Sequence, residues 1–399
     1  MLLMQQPPKK PIYLDYNATT PIDPDVLKAM NPYLQEYFGN PSSSHQYGRT
    51  SKEAVEQARR QVADLISARP EEMVLTSGGS ESDNHAILGV ALANRKKGRH
   101  MITSRIEHPA VTETCRYLQD RLGFSATYLP VDEYGAVSPE DVEDAITDET
   151  ILITIMHANN EVGTIEPIEE IGEIAKRCGV LFHTDAAQSC GKTEVDVNRL
   201  NVDLLTIAGH KMYAPKGVGA LYINSGVSID SFIHGAGQEM GRRAGTENVP
   251  YVVGLGTACE IAREALPAFG ERLRVLRDKL YASILEGIGR EGIGREEIRL
   301  NGHPEKRLPN TLNISMGGIV GEHFLSEIPE IAASTGSACH SGSVEPSAVL
   351  LQMGLSKEEA LGAVRLSLGR WTNNEEIEFA SKLIVERYIR AIGVRQATP

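Results

Sequence analysis

Short apolar runs alternate with amphipathic segments along most of the chain. Runs rich in valine, isoleucine and leucine, bounded by glycine or polar residues, predict strands at residues 73–76, 101–104, 126–131, 151–156, 180–183, 204–208 and 218–223. Apolar residues at helical spacing lie between most of these runs. Strands that alternate with helices usually form a parallel sheet covered on both faces. The pattern therefore predicts an α/β fold with a mainly parallel, seven-stranded sheet.

The pattern changes near Pro250, where two long helical segments are predicted at residues 251–266 and 270–288. Shorter strands at 310–315 and 331–333 and helices near Pro346 and at 374–392 follow. A chain of 399 residues exceeds what one core usually organises. We expect a large α/β domain over residues 15–262 and a smaller α+β domain formed by residues 1–14 and 263–399.

Composition narrows the possible partners and compartment. The net charge of −13 argues against a nucleic-acid partner, because phosphate binding requires a basic surface. The first ten residues have no apolar segment typical of a signal peptide, and no window is apolar enough to span a membrane. The five cysteines show neither metal-ligand nor disulfide spacing. We expect a cytoplasmic protein with free thiols, no membrane contact and no bound metal.

Polar side chains that can take part in catalysis or ligand binding follow the predicted strands. They include a Ser-Gly-Gly-Ser turn at 77–80 that contains Gly79 and Ser80, together with His108, Asn160, Asp185, Gln188, His210 and Lys211. In an open parallel sheet, ligands collect at the carboxyl ends of the strands. We therefore expect these residues to converge on one crevice.

Their chemistry suits pyridoxal 5'-phosphate. Lys211 follows a strand in a loop that Pro215 and Gly217 keep from being helical, which suits a covalent amine; otherwise it is an ordinary surface lysine. Asp185 can hold a pyridine nitrogen protonated, or can simply cap the end of a strand. His108 can stack on a planar ring and move protons, or can be a loop histidine. The turn at 77–80 opens a helix, whose N–H groups can bind phosphate, or is glycine-rich only for its geometry.

The chain resembles a known family through motifs spread from residue 13 to about residue 376. The cysteine desulfurases of the class V aminotransferase group have pyridoxal phosphate fold type I, and the similarity to them is carried by YLDYNATTP, GNPSSSH, TSGGSESDN, EHPAV, MHANNEVGTIEPI, HTDAAQS, GHKMYAPKGVGAL, RRAGTEN, LPNTLNIS, STGSACHSG and VRLSLGR. The resemblance implies that fold, with pyridoxal phosphate as cofactor.

It also implies a role for each matching residue. Lys211 would bind the cofactor covalently and move the substrate's α-proton, and Asp185 would pair with the ring nitrogen. Gln188 and Asn160 would contact the ring hydroxyl, with Asn160 also near the substrate, and His108 would stack on the ring and take part in catalysis. Arg365 would bind the substrate carboxylate through a two-pronged ion pair, for which arginine suits better than lysine. The remaining contacts would be to the phosphate, made by Gly79, Ser80, His210 and, from the second subunit of a homodimer, Thr246.

Cys339 is the expected sulfur acceptor. It lies among small polar residues that give a cysteine no packing role, whereas Cys115, Cys178 and Cys259 fall on predicted helices. A mobile thiol, once deprotonated, can attack a substrate sulfur. The implied reaction converts L-cysteine to L-alanine and leaves a persulfide on Cys339. The sulfur would pass to an acceptor or scaffold protein for iron–sulfur cluster assembly or tRNA thiolation.

Two departures from the family pattern leave the substrate open. Ala208 stands where cysteine desulfurases usually have a serine whose hydroxyl contacts the phosphate. Gly79 and His340 resemble selenocysteine lyases, although residues 341–347 follow the desulfurase pattern. A selenocysteine lyase that releases selenide and alanine is therefore the alternative activity. A non-catalytic scaffold that binds assembly partners is the alternative from another class, although Lys211, Asp185 and His108 all argue against it.

Overall fold

The strands and helices follow the predicted alternation. A computed structural model describes residues 10–336 and 345–396. The strands in these ranges are β1 (Ile12–Tyr13), β2 (Met73–Thr76), β3 (His100–Ser104), β4 (Ser125–Leu129), β5 (Thr150–Thr154), β6 (Leu181–Asp185), β7 (Leu204–Ala208), β8 (Gly219–Ile223), β9 (Ile298–Asn301), β10 (Thr311–Met316), β11 (Ile331–Ala332) and β12 (Ala363–Ser367). The α-helices are α1 (Pro24–Gln35), α2 (Gln46–Leu65), α3 (Gly79–Asn94), α4 (Pro109–Leu122), α5 (Pro139–Asp144), α6 (Ile168–Cys178), α7 (Val249–Arg290), α8 (Gly321–Ser326), α9 (Ala348–Gln352), α10 (Lys357–Leu361) and α11 (Asn374–Gln396).

The large sheet has seven strands in the order β2-β8-β7-β6-β5-β3-β4. Strands β3 to β7 pair in parallel, while β8 runs antiparallel to both β2 and β7. Successive side chains of a strand point to opposite sides of the sheet, and apolar side chains are buried on both sides. On β2, for example, Met73 and Leu75 join one apolar cluster, and Val74 joins the cluster on the opposite face. This confirms the predicted mainly parallel seven-stranded sheet.

A separate apolar cluster surrounds a smaller sheet near the C-terminus. Strands β9, β10 and β12 form an antiparallel sheet in the order β12-β10-β9, and β1 pairs in parallel with β11. The cluster joins side chains of this sheet to α11, to the second half of α7, and to Ile12 and Leu14 of the N-terminal segment. The division at residues 14/15 and 262/263 stays a prediction.

One expectation about the helices was wrong. The two helices predicted at 251–266 and 270–288 are one continuous helix, α7, with Pro267 inside it. Its first half buries Val252 and Leu255 against the large sheet, and its second half buries Leu276 and Leu280 in the apolar cluster around the smaller sheet. The connecting turns are less buried, so the apolar periodicity lapses there although the backbone stays helical. In the described ranges, no helix is both long and apolar enough to cross a membrane.

Candidate active site

A cavity of about 260 Å³ opens at the carboxyl ends of the large sheet's parallel strands. Nine of the residues predicted for the site line this cavity: Gly79, Ser80, His108, Asn160, Asp185, Gln188, His210, Lys211 and Arg365. One other described residue, Thr246, does not join them. Thr246 is exposed and does not line the cavity, and Cys339 lies outside the described residues.

Lys211 is held where β7 turns back into β8. The turn Gly209–Lys211 follows the strand directly, and Gly209 donates its N–H to the carbonyl of Val218 over 3.0 Å. A Cβ on Gly209 would lie only 2.8 Å from that carbonyl oxygen, so a larger residue does not fit. The Lys211 amine donates to the carbonyl oxygens of Asn17 at 2.6 Å and Ala18 at 2.8 Å.

The surroundings of Lys211 favour its neutral, nucleophilic form. Burial and the positive charge of Arg365 lower the pKa of Lys211 to about 8, although Asp185 and Asp15 oppose the shift. A lysine with an ordinary pKa would be almost wholly protonated near neutral pH. The site therefore supplies an amine ready for covalent bonding to a carbonyl compound.

Asp185 ends β6 and is only 7% exposed. Its Oδ1 accepts the N–H of Ala187 at 2.9 Å. Burial raises the pKa of Asp185, while that N–H group and the charges of His108 and Lys211 work in the opposite direction. A buried carboxylate on a cavity wall is stabilised by a cation placed against it, as a protonated ring nitrogen would be.

His108 is the N-cap of α4, and its Nδ1 accepts the N–H of Ala110 at 3.1 Å. Since Nδ1 accepts, the proton of the neutral ring lies on Nε2. Desolvation and the charge of Lys211 lower the pKa of His108 despite the opposing effect of Asp185, which favours this neutral form. The ring is thus fixed in one tautomer at the cavity wall.

The N-terminus of α3 provides a site for an anion. Its N-cap is Gly78, with φ of 146°, and no side chain caps the first turn. Uncapped N–H groups at the start of a helix of this length favour a bound phosphate. Gly79 and Ala208, which both depart from the usual desulfurase pattern, are neighbours here, because a Cβ on Gly79 would lie 3.3 Å from the Cβ of Ala208.

The residues present fit pyridoxal phosphate. One cavity combines an amine with a lowered pKa, a buried carboxylate and an uncapped helix N-terminus. These are the groups required by the aldehyde, the ring nitrogen and the phosphate of that cofactor. In the described part of the chain, no cluster of three or more His, Cys, Asp or Glu side chains could hold a metal ion.

Arg365 lies on β12 with its guanidinium already engaged. It donates to the carbonyl of Asn160 at 2.9 Å, to Asp15 Oδ1 at 2.8 Å and to Ser334 Oγ at 2.8 Å. Its Nε is buried and has no hydrogen-bond partner among the described residues. A carboxylate that enters the cavity therefore meets an arginine whose orientation is fixed and whose charge Asp15 partly balances.

Three polar residues near the cavity were missed by the sequence analysis: Asn17, Asp83 and Lys192. The carbonyl of Asn17 accepts hydrogen bonds from both Lys211 and Gln188, and its side chain bonds to Lys192 and Asn310. Asp83 lines the cavity from α3, is 1% exposed and has an Oδ1 without a hydrogen-bond partner. All three fall in or just after motifs quoted for the family resemblance, which was the one available signal.

Comparison with known proteins agrees with this geometry. The model of the aminotransferase class-V family matches residues 12–379. The chain therefore belongs to the class-V aminotransferases, which are pyridoxal-phosphate-dependent enzymes of fold type I.

Curated relatives narrow the group further. The chain is 49% identical to cysteine desulfurase IscS of Methanosarcina thermophila over 392 residues, which cover 98% of this chain and 95% of that protein. It is 50% identical to cysteine desulfurase IscS of Clostridium botulinum over 379 residues, 94% of each chain. A solved structure of a NifS-like protein is also similar, with 38% identity and a TM-score of 0.87 over 94% of this chain and 98% of that one.

A further solved structure, described as SspA in complex with cysteine, is 40% identical with a TM-score of 0.77. It is matched over 90% of this chain and 98% of that one. Together these comparisons confirm the predicted family, fold, cofactor and class of enzyme, a cysteine desulfurase that uses pyridoxal phosphate.

Proposed function

We propose that this enzyme converts L-cysteine to L-alanine and holds the released sulfur as a persulfide on Cys339. The observation that carries the proposal is the single cavity that brings Lys211, Asp185 and Arg365 together. The structure described as SspA in complex with cysteine, 40% identical to this chain, supports cysteine as the substrate.

Each cavity residue then has a defined task. The bound cofactor serves as an electron sink that stabilises negative charge on the substrate's Cα. Lys211 holds the cofactor and, as a neutral amine, takes the α-proton. Asp185 would keep the ring nitrogen protonated, Gln188 and Asn160 would contact the ring hydroxyl, and His108 would stack on the ring. Arg365 holds the substrate carboxylate.

The phosphate of the cofactor would bind at the uncapped start of α3. Gly79 and Ser80 supply N–H groups there, and His210 adds a side chain from the turn that carries Lys211. Burial and the charge of Lys211 lower the pKa of His210 to about 4, so we expect it to act as a neutral hydrogen-bonding group.

Sulfur transfer would take place at Cys339. Its thiolate attacks the sulfur of the substrate, so that an S–S bond forms as the substrate's Cβ–S bond breaks. The carbon skeleton keeps the electron pair, takes up a proton at Cβ, regains the α-proton at Cα and leaves as alanine. A thiol or protein acceptor can later remove the terminal sulfur from the persulfide.

Replacing the thiol tests this proposal. We expect Cys339→Ala to abolish sulfide release from cysteine while the visible absorbance of the bound cofactor stays unchanged. Lys211→Ala is the matched comparison, since it should lose both the activity and that absorbance. Undiminished turnover of cysteine by the Cys339→Ala variant would refute the assignment.

The alternative activity, selenocysteine lyase, differs in substrate preference. The named relatives with about half of their residues identical to this chain are cysteine desulfurases, which favours cysteine. Measuring turnover of cysteine and selenocysteine on the same purified protein decides between the two. A large excess of the selenocysteine rate would support the lyase instead.

We also propose that the enzyme is a cytoplasmic homodimer that hands its sulfur to an acceptor or scaffold protein, for iron–sulfur clusters or tRNA thiolation. Two observations support the dimer. Thr246 is exposed and does not line the cavity of its own chain, so it is accessible to the cavity of a second subunit. Phe38 and Tyr47 stack on one another while 72% and 56% exposed, which is typical of a surface that another chain covers.

A further inference from the structure

Lys192 is a buried amine surrounded by amide oxygens. It follows β6, four residues beyond Gln188, and is only 6% exposed. Its Nζ donates to Gln188 Oε1 at 2.7 Å and to Asn17 Oδ1 at 3.2 Å. Neither partner is a carboxylate. Burial, together with the charges of Lys211 and Arg365, lowers the pKa of Lys192 well below its usual range. Burying an amine without a carboxylate partner costs folding free energy, so this arrangement needs a structural reason.

The reason lies in the orientation of the Gln188 amide. Lys192 Nζ donates to Gln188 Oε1, so the carbonyl oxygen of the Gln188 amide faces the amine. The amide nitrogen then points the other way and donates to the carbonyl oxygen of Asn17 at 2.9 Å. The opposite amide orientation would lose the hydrogen bond that Lys192 donates and would place two acceptor oxygens together at Asn17.

The partner on the other side is fixed as well. Asn17 Oδ1 also accepts from Asn310, and its amide nitrogen donates to Thr311 Oγ1 at 2.8 Å. Its carbonyl oxygen accepts from Lys211 at 2.6 Å. Each of these groups is therefore oriented by a further bond. Among the described residues the Gln188 amide nitrogen has one acceptor, the carbonyl of Asn17, and Gln188 itself lines the cavity.

We propose that Lys192 is a positioning residue that makes Gln188 present an N–H group, rather than a carbonyl oxygen, to the ring hydroxyl of the cofactor. The inference rests on the proposed contact between Gln188 and that hydroxyl. A donor at this position stabilises the ionised ring oxygen, and hydrogen bonds to charged groups are about twice as strong as neutral ones. Lys192 acts through Gln188 and does not touch the cofactor.

The test compares four variants by the dissociation constant of pyridoxal phosphate from the apo-protein and by the visible absorption of the loaded enzyme. We expect Lys192→Met and Gln188→Leu each to weaken binding about tenfold and to change the ratio of the visible bands in the same direction. The double variant should be no worse than Gln188→Leu alone, because both changes remove the same interaction. Lys192→Gln, which is neutral but keeps a donor, should recover most of the affinity.

Lys176→Met is the matched control, because the exposed Lys176 also donates to an amide oxygen, Asn201 Oδ1 at 3.1 Å, far from the cavity. It should leave both readouts unchanged. Thermal unfolding of each apo-protein shows whether the variant is folded; should Lys192→Met fail to fold, Lys192→Ala takes its place in the comparison.

Three outcomes separate the possibilities. A Gln188→Leu variant that binds the cofactor normally would refute the proposed contact between Gln188 and the ring hydroxyl. A normal Lys192→Met beside a weakened Gln188→Leu would overturn only the positioning role. An equal loss in Lys192→Gln and Lys192→Met, or additive losses in the double variant, would show that Lys192 acts otherwise than through its hydrogen bond to Gln188 and would overturn the inference as well.

Discussion

Lys211 lies between opposing charges that set how readily it reacts. Arg365 lowers its pKa, and Asp185 and Asp15 raise it, with burial as the largest influence. Asp15 is also the ion-pair partner of Arg365, at 2.8 Å. The pair thus couples the amine that holds the cofactor to the arginine expected to hold the substrate.

The reactivity of Lys211 should therefore depend on pH with a midpoint near 8. Only the neutral amine attacks an aldehyde, so the rate at which the apo-protein takes up pyridoxal phosphate should rise about tenfold per pH unit below the midpoint and level off above it. Stopped-flow absorbance measures this rate.

Two substitutions should move that midpoint in opposite directions. Asp15→Asn removes a negative charge that raises the pKa of Lys211, so the midpoint should fall. Arg365→Gln removes a positive charge that lowers it, so the midpoint should rise. Lys216→Met, at an exposed lysine of the same loop, serves as control. Shifts in the same direction for both variants would contradict the charge argument.

Ala208 is the second residue with a specific consequence. It is buried against Gly79 on the cavity wall, and the missing Cβ of Gly79 leaves room beside it. A hydroxyl here could donate to the phosphate, so Ala208→Ser should bind pyridoxal phosphate about tenfold more tightly. Equilibrium titration of the apo-protein measures the change.

Ala214→Ser is the matched control for that gain, since Ala214 is buried in the same loop but does not line the cavity. Its affinity for the cofactor should not change. Equal affinities in the wild-type and Ala208→Ser proteins would mean that the phosphate contacts are already complete without this hydroxyl.

Residue identity was predictable where a motif and a strand end coincide. Asp185 is the last residue of β6, and Lys211 and His108 lie within four residues of the ends of β7 and β3, so the sheet brings them to one cavity. Asn17 and Lys192 were missed because their contacts join segments distant in sequence, 175 residues apart for this pair. No local pattern shows which polar residue the fold will bury.

At the scale of elements, one buried ion pair fixes the segment before the RRAGTEN motif. Arg59 of α2 contacts both carboxylate oxygens of Glu239, and Glu239 also accepts the N–H of Leu75 on β2. Glu239 and Met240 have φ of 48° and 58°, which is unfavourable for residues other than glycine. The ion pair holds this strained turn against the sheet.

Breaking that pair should be costly. The side chains are 7% and 3% exposed, so Glu239→Ala leaves a buried arginine charge whose remaining counter-ion is the more exposed Glu56, at 3.4 Å. The free energy of unfolding should fall by about 3–5 kcal/mol. Urea unfolding followed by circular dichroism measures it. Glu271→Ala removes an exposed partner of Arg274 instead and should have no measurable effect, and similar losses in both variants would contradict the role of burial.

Elements were predictable where one core determines their pattern. The strands of the large sheet were all found because each lies in a short run rich in apolar residues, and all but the edge strand β4 are almost wholly buried. Helix α7 was divided in two because its halves pack in different clusters, and Pro267 falls near the change. Strands β9 and β12 were missed: β9 carries Arg299 in a charged, glycine-rich stretch, and β12 carries Arg365.

At the scale of the whole molecule, the cavity draws on segments from both ends of the chain. Asn17 comes from the N-terminal segment, Lys211 from the large sheet, and Arg365 from the smaller one. Thr246 is the predicted contributor that its own chain does not bring to the cavity. The family fold could be predicted from the sequence, but the assembly of chains depends on a surface that carries no comparable pattern.

Mixing two inactive chains tests whether Thr246 acts across subunits. Lys211→Ala lacks the covalent amine, and Thr246→Ala lacks the proposed phosphate contact, so neither homodimer has a complete site. In a mixed dimer, the Lys211 of one chain would meet the Thr246 of the other, and one of the two sites would be complete. Differently tagged chains allow the mixed dimer to be purified, and cofactor titration should then reveal one site of wild-type affinity beside one defective site. If Thr246 acts within its own chain, both sites stay defective; a protein that sediments as a monomer would likewise refute the shared site.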